Sequence, residues 1–508
     1  LRIIDAITEV IRWTGFALAM LLFALTGLAQ SEEDVLRIRD IHTGGTGRSS
    51  GIANAFGALG ADAAAVTINP GSMGLYRTSE FSLTPAFEVN EAASTFNGNT
   101  AADTRSKFNF TNVGIVINNP SEKGNIFSST FGLVFDRQAS HQWRSIASAD
   151  NTPSSILDGF VNEANGTPED LLLTDFPFTS GLAWEAYGID PWTVLDPNGD
   201  TIPNQYVSAI PIGSGTSQMH TIETKGSSTS TSIFYSANYK DKLYFGATVG
   251  IVSHRFTRTT VHKESALDEG LDFIGSTYRE DLTTTGNGAD IKLGVVGRVG
   301  ERVRLGAAIH SPQWMQFNDG FVTDFRTNFR TPDINGRSDY SAESPEGLFA
   351  YGVNTEWRAV LSAAYFAGSN GLVSVDYEYS DPRKSRFRSS DELLNPYDFA
   401  LENSIIAGAF RQVHSVRVGT EWRQGSWYYR LGWGVVPNAF RVNEARHAQA
   451  MKTYAGGIGF RKTHFSVDLG LNYVSDSRVY FQYDPTVVEP TVEARRSYRA
   501  MLTFGFRI

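Results

Sequence analysis

From about residue 79 onward, apolar and polar residues alternate with period two. Phe465, Val467, Leu469, Leu471 and Tyr473 interleave with His464, Ser466, Asp468, Gly470 and Asn472. Trp427, Tyr429, Leu431, Trp433 and Val435 interleave with Tyr428, Arg430, Gly432 and Gly434. Val373, Val375, Tyr377 and Tyr379 alternate with Ser374, Asp376 and Glu378. Such stretches are strands with one apolar and one polar face. In a soluble sandwich the apolar face meets a core; in a membrane barrel it meets lipid, and the polar face lines the lumen.

The connections separate these two cases. Tight ones fall at Lys240-Asp241-Lys242, Gly300-Glu301, Gly368–Gly371, Gln424-Gly425 and Arg461-Lys462-Thr463. Between them lie long polar ones: Ala139–Gly226, Lys263–Gly275, Pro312–Glu346, Pro382–Gln412, Pro437–Gln449 and Ser475–Glu493. Strict alternation of short and long belongs to an up-and-down barrel with short periplasmic turns and long outer loops. Counting with that parity predicts an all-β fold, an antiparallel transmembrane barrel of about fourteen strands. An even count puts both chain ends on the periplasmic side. Leu431 faces outward; Gly432 faces the lumen, where a small side chain is expected to be tolerated.

The segment Gly51–Pro85 behaves differently. It is rich in Gly and Ala, carries few charges, and turns at Asn69-Pro70-Gly71. It is too apolar for a free loop and lacks the large side chains of a separate core. About eight strands is the limit that a barrel's own side chains can fill. Residues 30–78 are therefore expected to form a hatch inside the barrel of residues 79–508, with Asn69, Pro70 and Gly71 as its gate. Ahead of them, Arg2 and Arg12 precede the apolar run Trp13–Leu28. That pattern predicts a signal peptide over residues 1–29, cleaved before Gln30. The long extracellular insertion is placed at about 139–226.

Composition narrows the function classes. The 508 residues include no cysteine, which excludes disulfides and thiolate metal sites. The net charge of −10 argues against nucleic-acid binding. Charged residues are 19% and aromatic residues 12%, and the mean hydropathy is −0.22. These values suit a β-barrel better than a bundle of membrane helices. The nine histidines are scattered singly, so no metal site and no cofactor is expected. Gly47-Arg48-Ser49-Ser50-Gly51 fits the G-x-S-x-G spacing but lacks the strand before it and a placed histidine. It reads as hatch backbone, and no catalytic residue is expected. Asp196-Pro197-Asn198-Gly199-Asp200 reads as a polar turn, not a calcium loop.

Two groups of residues remain as candidate binding sites. Arg298, Arg302, Arg304, Asp376, Glu378, Arg417, Glu421, Arg430 and Asp468 all have inward parity. They predict an ion-pair network that stiffens the wall and holds the hatch. Arg417 or Arg430 could in addition bind a ligand carboxylate. In the insertion, Ser155–Ala164 predicts a short amphipathic helix, and Phe160, Leu172, Phe176, Phe178, Trp184, Tyr187 and Trp192 concentrate apolar surface. They are expected either to bind a ligand or to pack together as a cap.

The stretch GGTGRSSGIANAFGALGADAAAVTINPGSMGLYRTSEFSLTP resembles the hatch and first strand of FadL/TodX-type outer-membrane transporters, in the form found in Bacteroidetes-like bacteria. ANYKDKLYFGATVGI, TTTGNGADIKLGVVGRVGERVRLGAAIHSPQW and the final strand YRAMLTFGFRI continue the resemblance. The resemblance implies a fourteen-stranded barrel in the outer membrane of a Gram-negative bacterium. It implies passive uptake of long-chain fatty acids or other hydrophobic small molecules, with release sideways through a gap in the wall. The partners implied are those compounds and membrane lipid, with a monomer favoured. The family's hatch motif has Asn-Pro-Ala, whereas Gly71 stands here; the substitution predicts a looser turn. A barrel that docks secreted proteins, as a secretion-system shuttle does, shares the fold and is the alternative.

Overall fold

A computed structural model describes residues 32–39, 44–121, 124–211, 213–390 and 397–508. The expected signal peptide and its cleavage point lie outside the described residues. Fourteen antiparallel wall strands close into a barrel. In chain order they are β1 (Glu80–Phe96), β2 (Asn99–Pro120), and β3 (Ile126–Ser140) continued by β4 (Trp143–Thr152). The small hairpin β5 (Ile189–Leu195) and β6 (Thr201–Ser208) stands apart from the wall. The wall resumes with β7 (Thr216–Tyr239), β8 (Leu243–Ala266), β9 (Phe273–Val299), and β10 (Val303–His310) continued by β11 (Trp314–Phe329). The next wall strand is interrupted twice, as β12 (Asp339–Glu343), β13 (Gly347–Asn354) and β14 (Arg358–Ala367). Then come β15 (Gly371–Ser380) with β16 (Arg386–Ser389), β17 (Val413–Gln424), β18 (Trp427–Val436), β19 (Met451–Arg461), β20 (Phe465–Tyr480) and β21 (Thr491–Arg507). β1 closes the ring: Phe81 lies opposite Ile115 of β2 and Phe506 of β21.

The wall is where alternation predicts it, but the strands run further at the long-loop end. β4 ends at Thr152 and β7 begins at Thr216, so the insertion outside the wall is 153–215 instead of 139–226. The expected loop Pro312–Glu346 is mostly strand, with β11 reaching Phe329 and β12 starting at Asp339. The reason is solvation. Beyond the lipid both strand faces are polar, as in Thr216–Gly226, so pairing continues after hydrophobic alternation has stopped. The first hairpin turns at Asn97-Gly98, with φ of 45° and 84°. Asn-Gly is the strongest short hairpin signal a sequence carries.

The outer face is apolar and exposed around the ring, as at Ile115, Leu133, Ile251, Leu293, Leu361 and Leu431. Aromatic residues flank this belt. Phe81, Phe245 and Phe506 stand toward the short turns, and Phe108, Trp314 and Tyr498 toward the long loops. A band with two aromatic girdles is the surface of a membrane-spanning barrel. No helix among the described residues is long and apolar enough to cross a membrane.

Three bodies fill or cover the barrel. The helix α1 (Glu32–Arg39) packs into an aromatic cluster toward the long-loop end. The hatch holds α2 (Gly47–Ser50) and two 3-10 turns, Ala63–Thr67 and Pro70–Leu75. Its core of Ile52, Phe56, Met73 and Tyr76 packs on Val116, Val134 and Phe234 of the wall. The insertion forms a cap containing α3 (Ile156–Ala164), α4 (Leu172–Asp175) and α5 (Ser180–Glu185). A further helix, α6 (Ala400–Ala409), supports the cluster around α1.

Gly432 does face the lumen, but it is not tolerant. A Cβ there would lie 2.3 Å from the carbonyl carbon of Ile52 and 2.5 Å from the nitrogen of Ala53. The hatch backbone occupies that space. Its neighbour Leu431 is 66% exposed on the outer face. Leu431→Arg is expected to destabilise the barrel by about 2–4 kcal/mol, read by urea unfolding in lipid vesicles. Parent-like stability would contradict the lipid-facing assignment.

Candidate functional site

The hatch is held by charge. Arg48 reaches Glu421 on β17 with two contacts of 3.1 Å. Arg430 on β18 donates to the same carboxylate at 2.6 Å and reaches Asp468 on β20 at 2.7 Å. Arg461 completes the row against Asp468 at 3.3 Å. All are inward positions of adjacent strands, which period-two geometry stacks on one face. Arg430 is fully buried in this row. It therefore serves the hatch seat and is not presented to a ligand. Ser49, the middle residue of the G-x-S-x-G spacing, makes a reciprocal capping box with Thr46 at the start of α2. Its hydroxyl is a helix cap.

Backbone contacts lock the rest of the hatch. Asp376 accepts from the nitrogens of Phe56 and Gly57 at 2.8 and 2.9 Å. The Asn69 amide donates to Gly57 O at 2.8 Å and to Val295 O of the wall at 3.1 Å, while its oxygen accepts from Gly71 N at 3.0 Å. The predicted turn therefore exists, as an N-capped 3-10 turn. Gly71 is not a loose substitute for Ala. A Cβ on it would lie 2.7 Å from Gly294 O and 2.8 Å from the Val295 Cα. Asn69-Pro70-Gly71 is a corner pressed on the wall.

Above the hatch lies a small cavity of about 70 Å³, room for a few waters. It is bordered by Gly44, Gly45, Asp136, Gln138, His310 and Arg417. Arg417 thus does line the lumen, as its parity predicts, and it pairs with Glu378 at 2.9 Å. Beyond the cavity, α1 inserts Val35 and Ile38 among Phe317, Tyr351, Phe387, Phe399 and Phe410. Phe317 and Tyr351 stack at 5.5 Å, as do Phe387 and Phe399. Arg37 lies 3.8 Å above the Phe256 ring. Arg39 binds Glu356 at 2.7 Å, and Glu32 pairs with Arg446. This chamber escaped sequence reasoning because its aromatic residues come from distant strands and from α6. The helical spacing of Val35 and Ile38 was its one local sign.

The insertion residues do not reach this chamber. Phe160 packs on Tyr278 and Phe325 with ring centres at 5.5 and 5.8 Å. Leu172 is buried, and Phe176 and Trp184 pack partly buried against the same cap core. Phe178 sits 4.7 Å from Phe321, and its carbonyl accepts from Tyr278 and Thr323. Tyr187 contacts Tyr340 at 4.7 Å and Trp192 is 61% exposed on the β5–β6 hairpin. These side chains form a cap on the strand extensions. The Asp196–Asp200 segment is a polar turn, with Asp196 accepting from the nitrogens of Asn198 and Asp200.

The pairing of the wall parts between β2 and β3. β2 and β3 pair from Pro120–Ser128 up to Asn112–Asp136 and no further. Above that point residues 99–110 of β2 pair only with β1, while β3 and β4 pair only with β7. A bulge at Arg137–Ala139 starts the departure of β3. The third wall strand then passes inside the first two. Inward-facing Asn90 of β1 donates to Gln142 O at 2.8 Å, and Arg144 of β4 pairs with Asp103 of β2 at 2.9 Å. The leading end of the hatch sits at the vertex of this window. Asp136 accepts from Gly45 N at 3.1 Å, and Thr111 donates to Gly45 O at 3.0 Å. Gly44 has no room for a Cβ, which would fall 2.3 Å from Asp136 Oδ2.

No protein-family model and no curated protein matches the chain. Solved structures do. The toluene transporter TodX of P. putida superposes with a TM-score of 0.52 at 11% identity, over 92% of this chain and 99% of that one. A FadL homologue of Pseudomonas aeruginosa gives 0.51 at 12% identity, over 91% and 98%. The fold implied by the resemblance is the fold observed.

The seat is testable at its shared carboxylate. Glu421→Gln leaves Arg48 and Arg430 without their common counter-charge, a change that costs about 3–5 kcal/mol at a buried pair. The expected outcome is a barrel that remains folded and heat-modifiable on gels but conducts small ions in planar bilayers. Conductance at the parent level would contradict the role of Glu421.

Proposed function

We propose that the protein is an outer-membrane channel for passive uptake of hydrophobic small molecules, long-chain fatty acids foremost. The observation that carries this reading is the succession of aromatic chamber, lumen cavity and unpaired wall, all on the long-loop side of a closed hatch. TodX, of like fold, is a toluene transporter, which supports an apolar cargo. A chain of methylenes gains about 0.8 kcal/mol for each one buried, so an aromatic chamber binds it with little polar help. The ligand enters from the long-loop end, displaces α1 from the chamber and leaves sideways between β2 and β3. A cavity of about 70 Å³ is too small for an acyl chain, so this is the closed state. The gate is the leading end of the hatch, Gly44–Gly45, held to the window by Thr111 and Asp136.

The docking alternative has one observation in its favour. The β5–β6 hairpin exposes Trp192 and Leu195 at the outer end. Docking, however, leaves the aromatic chamber without a use. Expressed in a Gram-negative strain deprived of its own fatty-acid channel, the protein is expected to raise initial uptake of labelled palmitate several-fold over an empty vector. No rise for palmitate or for toluene, with the barrel present in the outer membrane, would contradict transport and leave docking standing.

A further inference from the structure

The window between β2 and β3 is not lined only by apolar groups. The bulge at Thr111 reverses the parity of β2. Phe108 and Phe110 above it face outward, 61% and 43% exposed, and Lys107 turns to the lumen side. On the facing strand Asp136 points in to the hatch, so Arg137 points out. Its Nε lies 3.4 Å from Phe110 O, a carbonyl freed by the loss of pairing. Two cations thus stand on the two lips of the opening, one inside and one outside.

Glu88 stands opposite Lys107 in the β1–β2 register, yet neither cation forms an ion pair with it. Lys107 Nζ lies 3.0 Å from the Gln142 side chain, whose amide oxygen accepts from it in the orientation that also satisfies Gly226 N. The charges that face Lys107 are Arg137 and Glu88, and the charge that faces Arg137 is Glu88. Glu88 is already engaged, accepting from Asn90 at 2.7 Å and facing Arg499 at 3.8 Å. Among the described residues neither Lys107 nor Arg137 forms an ion pair. In the hatch seat cations and carboxylates are matched, as in the Arg48–Glu421–Arg430–Asp468 row. At the window Lys107 and Arg137 rest instead on uncharged oxygens, the Gln142 amide and the Phe110 carbonyl.

We propose that Lys107 and Arg137 hold the anionic head of an amphiphile at the window, making passage selective for long-chain carboxylates over neutral hydrocarbons. The proposal rests on the transport reading. An ionised carboxylate leaving the lumen toward lipid loses its water at a cost of several kcal/mol. Lys107 meets it on the inner lip and Arg137 on the outer one. The tail meanwhile lies against Phe87, Phe108 and Phe110, all exposed on the outer wall. A neutral hydrocarbon needs neither cation.

The test compares two cargoes of one length, palmitate and hexadecanol, in the parent and in the double variant K107Q/R137Q. The readouts are uptake by cells and binding to purified barrel in phosphocholine nanodiscs. The charge-retaining double variant K107R/R137K controls for folding. The expected result is that palmitate uptake and binding fall roughly tenfold, the loss of one charge-assisted contact, while hexadecanol is unchanged and K107R/R137K behaves as parent. Equal loss for both cargoes, or no loss for palmitate, overturns the proposal. A parent that takes up neither cargo sinks the transport reading; preferential palmitate binding that K107Q/R137Q abolishes would still support the anion site. Loss of palmitate binding when phosphatidylglycerol replaces phosphocholine would assign the site to a lipid phosphate and overturn the choice of a carboxylate cargo.

Discussion

The structure depends on one close approach: hatch backbone laid directly on wall backbone. Wall strands present glycine inward where the hatch touches them. A Cβ at Gly294 would meet Asn69, one at Gly419 would meet Ile52, and one at Gly470 would meet Gly47 and Ser50, each within 2.5 Å. With side chains there, the hatch would be pushed toward the axis and the buried row from Arg48 to Asp468 could not form. That row in turn needs exclusion of water, because an ion pair is worth little when solvated and much when its charges have no other partner. Close packing and charge pairing therefore hold the hatch together, and neither suffices alone.

A hatch held this way divides the lumen. Below, near the short turns, it is charged and tight, with the row from Arg48 to Asp468 paired and Arg304 donating to the Leu59 carbonyl. Above, it is aromatic, with Val35 and Ile38 of α1 packed among the rings. Outside that row, α1 is held by ion pairs at its ends and by Val35 and Ile38 in the aromatic cluster, and the Gly44–Gly45 lead by hydrogen bonds at the window vertex. The window lies on the same side of the hatch as the chamber, away from the ion-pair row.

Much of this was legible in the sequence. Period-two alternation located the wall strands, and short-long connections set their direction, because lipid imposes both rules directly on the chain. The hatch was legible as an apolar segment without large side chains, and Asn69 does make its turn. The strand extensions were not legible, since above the lipid nothing forces one face to be apolar. Gly71 and Gly432 were misread for one reason: spacing tells which way a glycine faces but not what lies against it. The inward glycines of two neighbouring strands, Gly294 and Gly306, and of four more in succession, Gly419, Gly432, Gly457 and Gly470, were the signal for the hatch seat. The window had no local sign, because the absence of pairing between β2 and β3 is a relation between two strands.

The central claim is that cargo leaves through the wall while the body of the hatch stays seated. The protein has no native cysteine, and a Cβ at Gly57 of the hatch would meet side-chain atoms only, 3.1 Å from the Ser362 Cβ on β14. The pair Gly57→Cys and Ser362→Cys therefore places two thiols where, after a shift of a few tenths of an ångström, a disulfide can tie the hatch to β14. The direct measurement is palmitate uptake by cells carrying this pair, before and after reduction, with cross-linking followed on gels. Uptake that is the same in both states supports the lateral path. Uptake abolished by the cross-link and restored by reductant would mean that the hatch itself must leave, and would contradict the account.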